Sequence, residues 1–211
     1  MRSEDEAQHA LRRLIRRVSI ADMAALCEAL GTRSRMTVFR RLKEIGYKAS
    51  FTHSGRYYTL AGIPEFDELG LWFHRDAGFS AEGTLKDTVA VHVERSPDGR
   101  THAELQHVLR VRVHNALLEL VREGRIVRER FGNVSLYVGT DASRAGLQVA
   151  GRQELARVMK EAFRVLTADE TIEVLAEALR AASGIPETKV VAASLAARVV
   201  RIEPRLVQAA F

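Results

Sequence analysis

Apolar residues recur every three or four positions through most of this chain, in short runs separated by glycines and by Ser, Thr or Asp caps, which predicts a succession of short amphipathic helices. Residues 7–18 set Ala7, Leu11, Leu14, Ile15 and Val18 on one helical face and Arg12, Arg13, Arg16 and Arg17 on the other. Ser19-Ile20-Ala21-Asp22 fits an S-x-x-D capping pattern and predicts a second helix through Met23, Leu26, Cys27 and Leu30, stopped at Gly31. A turn at Thr32–Ser34 leads into a third helix, 33–45, in which Met36, Phe39, Leu42 and Ile45 are expected to share one buried stripe. Gly46 stands where a glycine ends a helix. Beyond it, Tyr47–Thr52 and Tyr57–Leu60 flank His53-Ser54-Gly55-Arg56, a hairpin signal.

The same order returns downstream. Ser80 is expected to cap a helix carrying Leu85, Val89 and Val93, closed by the turn Ser96-Pro97-Asp98-Gly99. Thr101-His102-Ala103-Glu104 is a capping box opening a short helix through Leu105, Val108 and Leu109. A helix over 111–123 follows, with Leu117, Leu120 and Val121 buried and Gly124 as its stop. Then 125–130 and 134–138 flank Phe131-Gly132-Asn133, a second hairpin. Gly46 aligns with Gly124, Leu42 with Leu120 and Phe39 with Leu117, all at a separation of 78 residues. One pattern met twice is far less open to chance than either copy alone.

Between the copies, residues 63–79 hold the only Trp, Trp72, with Phe66, Phe73 and Phe79, a density of aromatics that has to be buried rather than left as a flexible linker. After the second copy, 141–152 is small and polar and reads as a linker. Residues 153–211 read as a small helical domain. Its first helix carries Leu155, Val158, Met159, Ala162 and Phe163, and its second is capped by Thr167-Ala168-Asp169-Glu170. A break at 183–186 and two short helices, about 187–199 and 204–210, complete it. The expected fold is mainly α with small β-wings: two winged helix-turn-helix modules, 1–62 and 80–140, then an all-helical tail suited to dimerisation or partner docking.

Charge sharpens this picture. The net charge of +5 is unevenly spread: residues 1–60 hold 12 Lys and Arg against 6 Asp and Glu, whereas 61–100 hold 4 against 8. Positive charge thus concentrates where the first basic helix lies, as an electrostatic footprint for phosphate does. No apolar run reaches the roughly 18–20 residues needed to span a bilayer, and the charged N-terminus lacks a signal-peptide core, so a cytoplasmic, nucleoid-associated protein is expected. Cys27 is the single cysteine, which excludes an internal disulfide.

A helix of this kind fits the DNA major groove, its N-terminal residues reaching base edges while flanking groups hold phosphate. In the first copy Arg33, Ser34, Arg35 and Thr37 stand at that end, and Arg41 lies one turn beyond Thr37 on the same face. Arg40 and Lys43 are candidate phosphate anchors, and His53 and Arg56 belong to the wing. In the second copy Arg110, Arg112, His114 and Asn115 take the helix start, and Arg128, Arg130 and Asn133 the wing. Arginine suits guanine O6 and N7, and asparagine suits adenine.

F-R-R-L-K-E-I-G-Y from Phe39, G-R-Y-Y-T-L from Gly55 and I-P-E-F-D-E-L-G-L-W from Ile63 resemble a group of bacterial tandem winged helix-turn-helix proteins, transcription-regulator-like and some found beside transposases. The resemblance covers roughly residues 19–138 and is strongest between Thr37 and Trp72. It implies the fold and binding to double-stranded DNA, and names no target.

Catalysis is not expected. The seven His form no H-E-x-x-H and no metal spacing with Cys27, and neither a Walker loop nor G-x-S-x-G is present, so no metal or cofactor is expected either. The rival reading is a tandem winged-helix docking module of a chromosome-organising or mobile-element complex. Five basic residues between Arg33 and Lys43 favour DNA, with a homodimer through the C-terminal helices as a further partner.

Overall fold

A computed structural model of the chain describes residues 4–162, 167–180, 192, 193 and 195. They form a mixed, helix-rich α/β structure with three small antiparallel sheets. The chain divides into two compact units, residues 1–152 and 153–211. No helix among the described residues is long and apolar enough to cross a membrane.

The first unit contains one arrangement of elements twice. In the first copy α1 (Glu4–Val18) leads to β1 (Ala21–Asp22), α2 (Met23–Leu30), α3 (Arg35–Ile45), β2 (Tyr47–Ala49) and β3 (Tyr57–Leu60). In the second, α4 (Leu85–Arg95) leads to β6 (Arg100–Thr101), α5 (His102–Leu109), α6 (His114–Arg122), β7 (Val127–Phe131) and β8 (Val134–Val138). Both sheets carry their last strand in the middle, in the orders β1-β3-β2 and β6-β8-β7. The correspondence extends to single residues. Asp22 and Thr101 each cap the helix that follows their short strand, accepting the N–H of Ala25 at 2.9 Å and of Glu104 at 3.3 Å. Gly31 and Arg110 each end that helix in the left-handed conformation, at φ 64° and φ 53°.

Several boundaries differ from the sequence expectation. The cap of α2 is Asp22 rather than Ser19, whose φ is 64° and whose carbonyl instead accepts the Thr59 hydroxyl at 2.7 Å. Residues 77–80 do not open a helix: they form β5, and Thr84 caps α4 by accepting the N–H of Asp87 at 3.1 Å. The helix expected from 111 starts at His114, because Arg110 turns the chain left-handed and Val113 is buried at the entry. The buried stripe of α3 is Val38, Leu42 and Ile45; Met36 is 78% exposed and Phe39 is half-buried.

The first core gathers Leu11 and Ile15 of α1 with Leu26, Val38, Leu42 and Tyr58. The second gathers Val89 and Val93 of α4 with Leu105, Leu117, Leu120 and Ile126, and it also takes in Phe51, which comes from the loop between β2 and β3 of the first copy. The aromatic segment explains that crossing. Its residues form a hairpin, β4 (Leu71–His74) on β5 (Ala77–Ser80), with Phe79 fully buried and Trp72 half-buried. Phe51 N–H donates to the Gly78 carbonyl at 2.8 Å, and Gly78 N–H donates to the Thr52 hydroxyl at 2.9 Å. The rings of Phe51 and Phe73 meet edge to face at 6.0 Å.

Of residues 141–152, expected as a linker, all but Asp141 lie in α7 (Ala142–Ala162). Asp141 accepts the N–H of Arg144 at 2.8 Å at its start, and two side chains one turn apart hold the helix to the rest of the first unit. Gln148 is buried, donating to the carbonyls of Val93 and Ser96 at 2.8 Å each and accepting the N–H of Gly139 at 2.8 Å. Arg152 is buried among Asp98, Gly99 and Glu104. In the second unit, α8 (Ala168–Arg180) is opened by the expected capping box, Thr167 and Glu170 each accepting the other's backbone N–H. Leu155, Val158 and Met159 are exposed. Phe163, the break at 183–186 and most of the two short helices expected beyond it lie outside the described residues.

Candidate nucleic-acid interface

The outer surface of α3 follows from where its apolar residues point. With Val38, Leu42 and Ile45 turned into the core, helical periodicity leaves Met36, Arg40 and Lys43 on the opposite face, and all three are exposed. Ser34 caps the helix, its hydroxyl accepting the N–H of Thr37 at 3.3 Å, and its own N–H is held by the Thr32 hydroxyl at 3.2 Å. The cap presents Arg33 and Arg35 on either side of it, both exposed. Among the described residues, Arg33, Arg35, Arg40 and Lys43 enter no ion pair, which leaves four cations on one helix end and its outer face.

Arg41 is different, and here the sequence expectation is corrected. Its side chain is only 15% exposed and its guanidinium is held by Glu4 of α1 and Glu44 of its own helix, the latter at 3.0 Å. The hydrogen bond from Arg41 is the main reason the Glu44 carboxyl lies below its ordinary range. Spacing by four put Arg41 on a face with Arg33 and Thr37; the approach of α1 turns that face toward carboxylates. Arg41 ties two helices together instead of standing free beside Arg33 and Arg35.

In the first copy His53 and Arg56 are exposed at the tip between β2 and β3. His53 has φ 52°, and its Nδ1 lies 3.0 Å from the Thr52 hydroxyl.

The second copy is less basic where it corresponds. The exposed face of α6 carries His114, Asn115, Leu118, Glu119 and Arg122. Arg110 lies outside this helix, in the preceding turn, with its guanidinium 4.4 Å from the centre of the Phe73 ring. Arg112 is exposed in the same turn. Arg128 and Arg130 lie on β7, where Arg128 donates to the Ser135 hydroxyl at 2.8 Å and Arg130 to the Gly132 carbonyl at 3.3 Å, with Asn133 exposed at the hairpin tip. These bonds orient both guanidiniums without neutralising them.

The sequence shows no sign of the pairing of Glu4 with Arg41, and its spacing places the exposed Met36 in the core. Glu4 carries no local signal, since its partner is 37 residues away. Met36 had one: it is four residues before Arg40 and seven before Lys43, so it belongs to their face. Among the described residues no cluster of three His, Cys, Asp or Glu is arranged to hold a metal ion. Compared with protein-family models, with curated proteins and with solved structures, the chain matches none.

Proposed function

We propose that this protein binds double-stranded DNA sequence-specifically, as a transcriptional regulator would, and that each repeated unit of its first 140 residues acts as a winged helix-turn-helix module. The order helix, short strand, two helices and hairpin, repeated with its caps and turns, supports the module assignment. The observation that carries the functional reading is the outer face of α3. Arg33, Arg35, Arg40 and Lys43 are exposed and, among the described residues, enter no ion pair, at a helix whose width suits the major groove. In this reading Arg33 and Arg35 reach base edges, Arg40 and Lys43 hold phosphate, and Arg56 lies along the backbone or minor groove. The second module follows with Arg128 and Arg130, while the mixed face of α6 gives it the smaller share of affinity.

An electrophoretic shift on mixed-sequence duplex at low salt, followed by selection from a random pool, tests the proposal. A shift that weakens steeply with salt and an enriched motif are expected. A protein-docking module would give neither.

A further inference from the structure

Met36 is the most exposed of the large apolar side chains among the described residues, at 78%, and it stands among the exposed cations Arg33, Arg35, Arg40 and Lys43. Single exposed apolar residues are ordinary on protein surfaces. This one is set apart by its position. It is the second residue of α3, it leads the stripe Met36–Arg40–Lys43, and it borders a shallow hollow lined by Met36, Thr37, Phe39, Arg40, Lys43 and Tyr47. The hollow has an apolar floor, two cations on its rim and no carboxylate in its lining. An apolar protein side chain would fill the floor and leave the cations unanswered; a nucleic acid answers both. In the major groove the one apolar group a base presents is the C5-methyl of thymine, and the phosphates flank it.

Resting on the DNA-binding reading above, we infer that Met36 is a specificity-determining residue: its thioether side chain packs on a thymine methyl, while Arg40 and Lys43 hold the phosphates on either side. The unbranched side chain reaches outward and adapts to a small apolar target, and its place at the start of α3 is where a groove-bound helix meets base edges.

The test uses the full chain and the duplex enriched by selection. Each thymine is replaced in turn by deoxyuridine, which removes only the methyl, and dissociation constants are measured for the wild type, Met36→Ala and Met36→Leu. At one thymine the wild type should lose about four-fold in affinity, the fold-change that matches about 0.8 kcal/mol for one buried methyl-sized group. Met36→Ala should lose a similar factor on the thymine duplex and nothing more on deoxyuridine, and Met36→Leu should keep most of the methyl preference. Because Met36 lies on the surface, circular dichroism of the variants should match the wild type. Tight binding with no methyl dependence at any position, or a deoxyuridine penalty that survives in Met36→Ala, overturns the inference and leaves the DNA reading standing. Failure of the wild type to bind any duplex overturns the DNA reading, and the inference with it.

Discussion

Arg152 and Glu104 meet fork to fork. Nη1 of Arg152 lies 2.7 Å from Oε1 of Glu104, and Nη2 lies 2.9 Å from Oε2. The same Oε2 accepts the N–H of Thr101 at 2.8 Å, closing the capping box of α5. The guanidinium also reaches the carbonyls of Asp98 at 3.0 Å and Gly99 at 3.1 Å, so one side chain of α7 satisfies the turn before α5 and the carboxylate that caps it. Replacing Arg152 by Met should cost about 2 kcal/mol, as loss of hydrogen bonds to a charged group does. Arg152→Lys should recover less than half, because an ammonium cannot reproduce the paired geometry. Urea unfolding of both variants measures this, and a lysine variant as stable as the wild type would show that charge alone is at work.

The same pair predicts behaviour in acid. Partial burial pushes the Glu104 carboxyl up, but the hydrogen bonds from Arg152 and from the Thr101 backbone outweigh it and hold the group down, to about 2 against an ordinary 4.5. A carboxylate depressed in the folded state contributes stability that is complete above about 4.5 and is lost as pH falls toward about 2. Glu104→Gln should therefore flatten the stability profile in that window. Unfolding midpoints measured from pH 5 to pH 2.5 check it, and a variant that keeps the wild-type slope would assign the acid sensitivity elsewhere.

His92 acts at milder pH. It is buried in α4, its Nε2 lacks a partner among the described residues, and burial, followed by the nearby Arg100, holds its pKa below the ordinary 6.5 despite the Leu69 carbonyl. The unfolded chain takes up this proton first as pH falls, so stability should decline below about pH 6.5. His92→Leu should remove that decline between pH 7.5 and 5.5. An equal decline in the variant would sink the assignment.

Two glycines of α7 should respond to alanine with opposite signs. Alanine normally stabilises a helix interior relative to glycine by about 0.5–1 kcal/mol. At Gly146 an added methyl meets nothing within 4 Å, so Gly146→Ala should stabilise by about that much. At Gly151 the methyl would lie 2.7 Å from the backbone carbonyl oxygen of Pro97, which cannot rotate away, and Gly151→Ala should destabilise by about 1–3 kcal/mol. Thermal unfolding of the two variants side by side tests whether α7 is seated closely on this turn.

On the proposed DNA surface, Arg40→Gln and Lys43→Gln should each reduce the salt dependence of binding by about one phosphate contact. Arg41→Gln should leave that slope nearly unchanged, since Glu4 and Glu44 already take its charge. Binding titrations across a range of salt concentrations distinguish the three. A slope change for Arg41 as large as that for Arg40 would mean that DNA competes Arg41 away from its carboxylates.

Local chemistry carried much of this structure in the sequence itself. The capping box at Thr101, the stops at Gly46 and Gly124 and the repeat at a separation of 78 residues were legible because each depends on neighbours a few positions away or on a pattern met twice. Whether Arg41 points out or in, whether Gln148 and Arg152 lie in a linker or seat a helix, and that Phe51 joins the second core were decided by residues 22 to 55 positions distant. Tertiary packing chose among faces that helical periodicity left equivalent. A charge is committed only when an opposite charge arrives beside it, and no window of sequence contains that arrival.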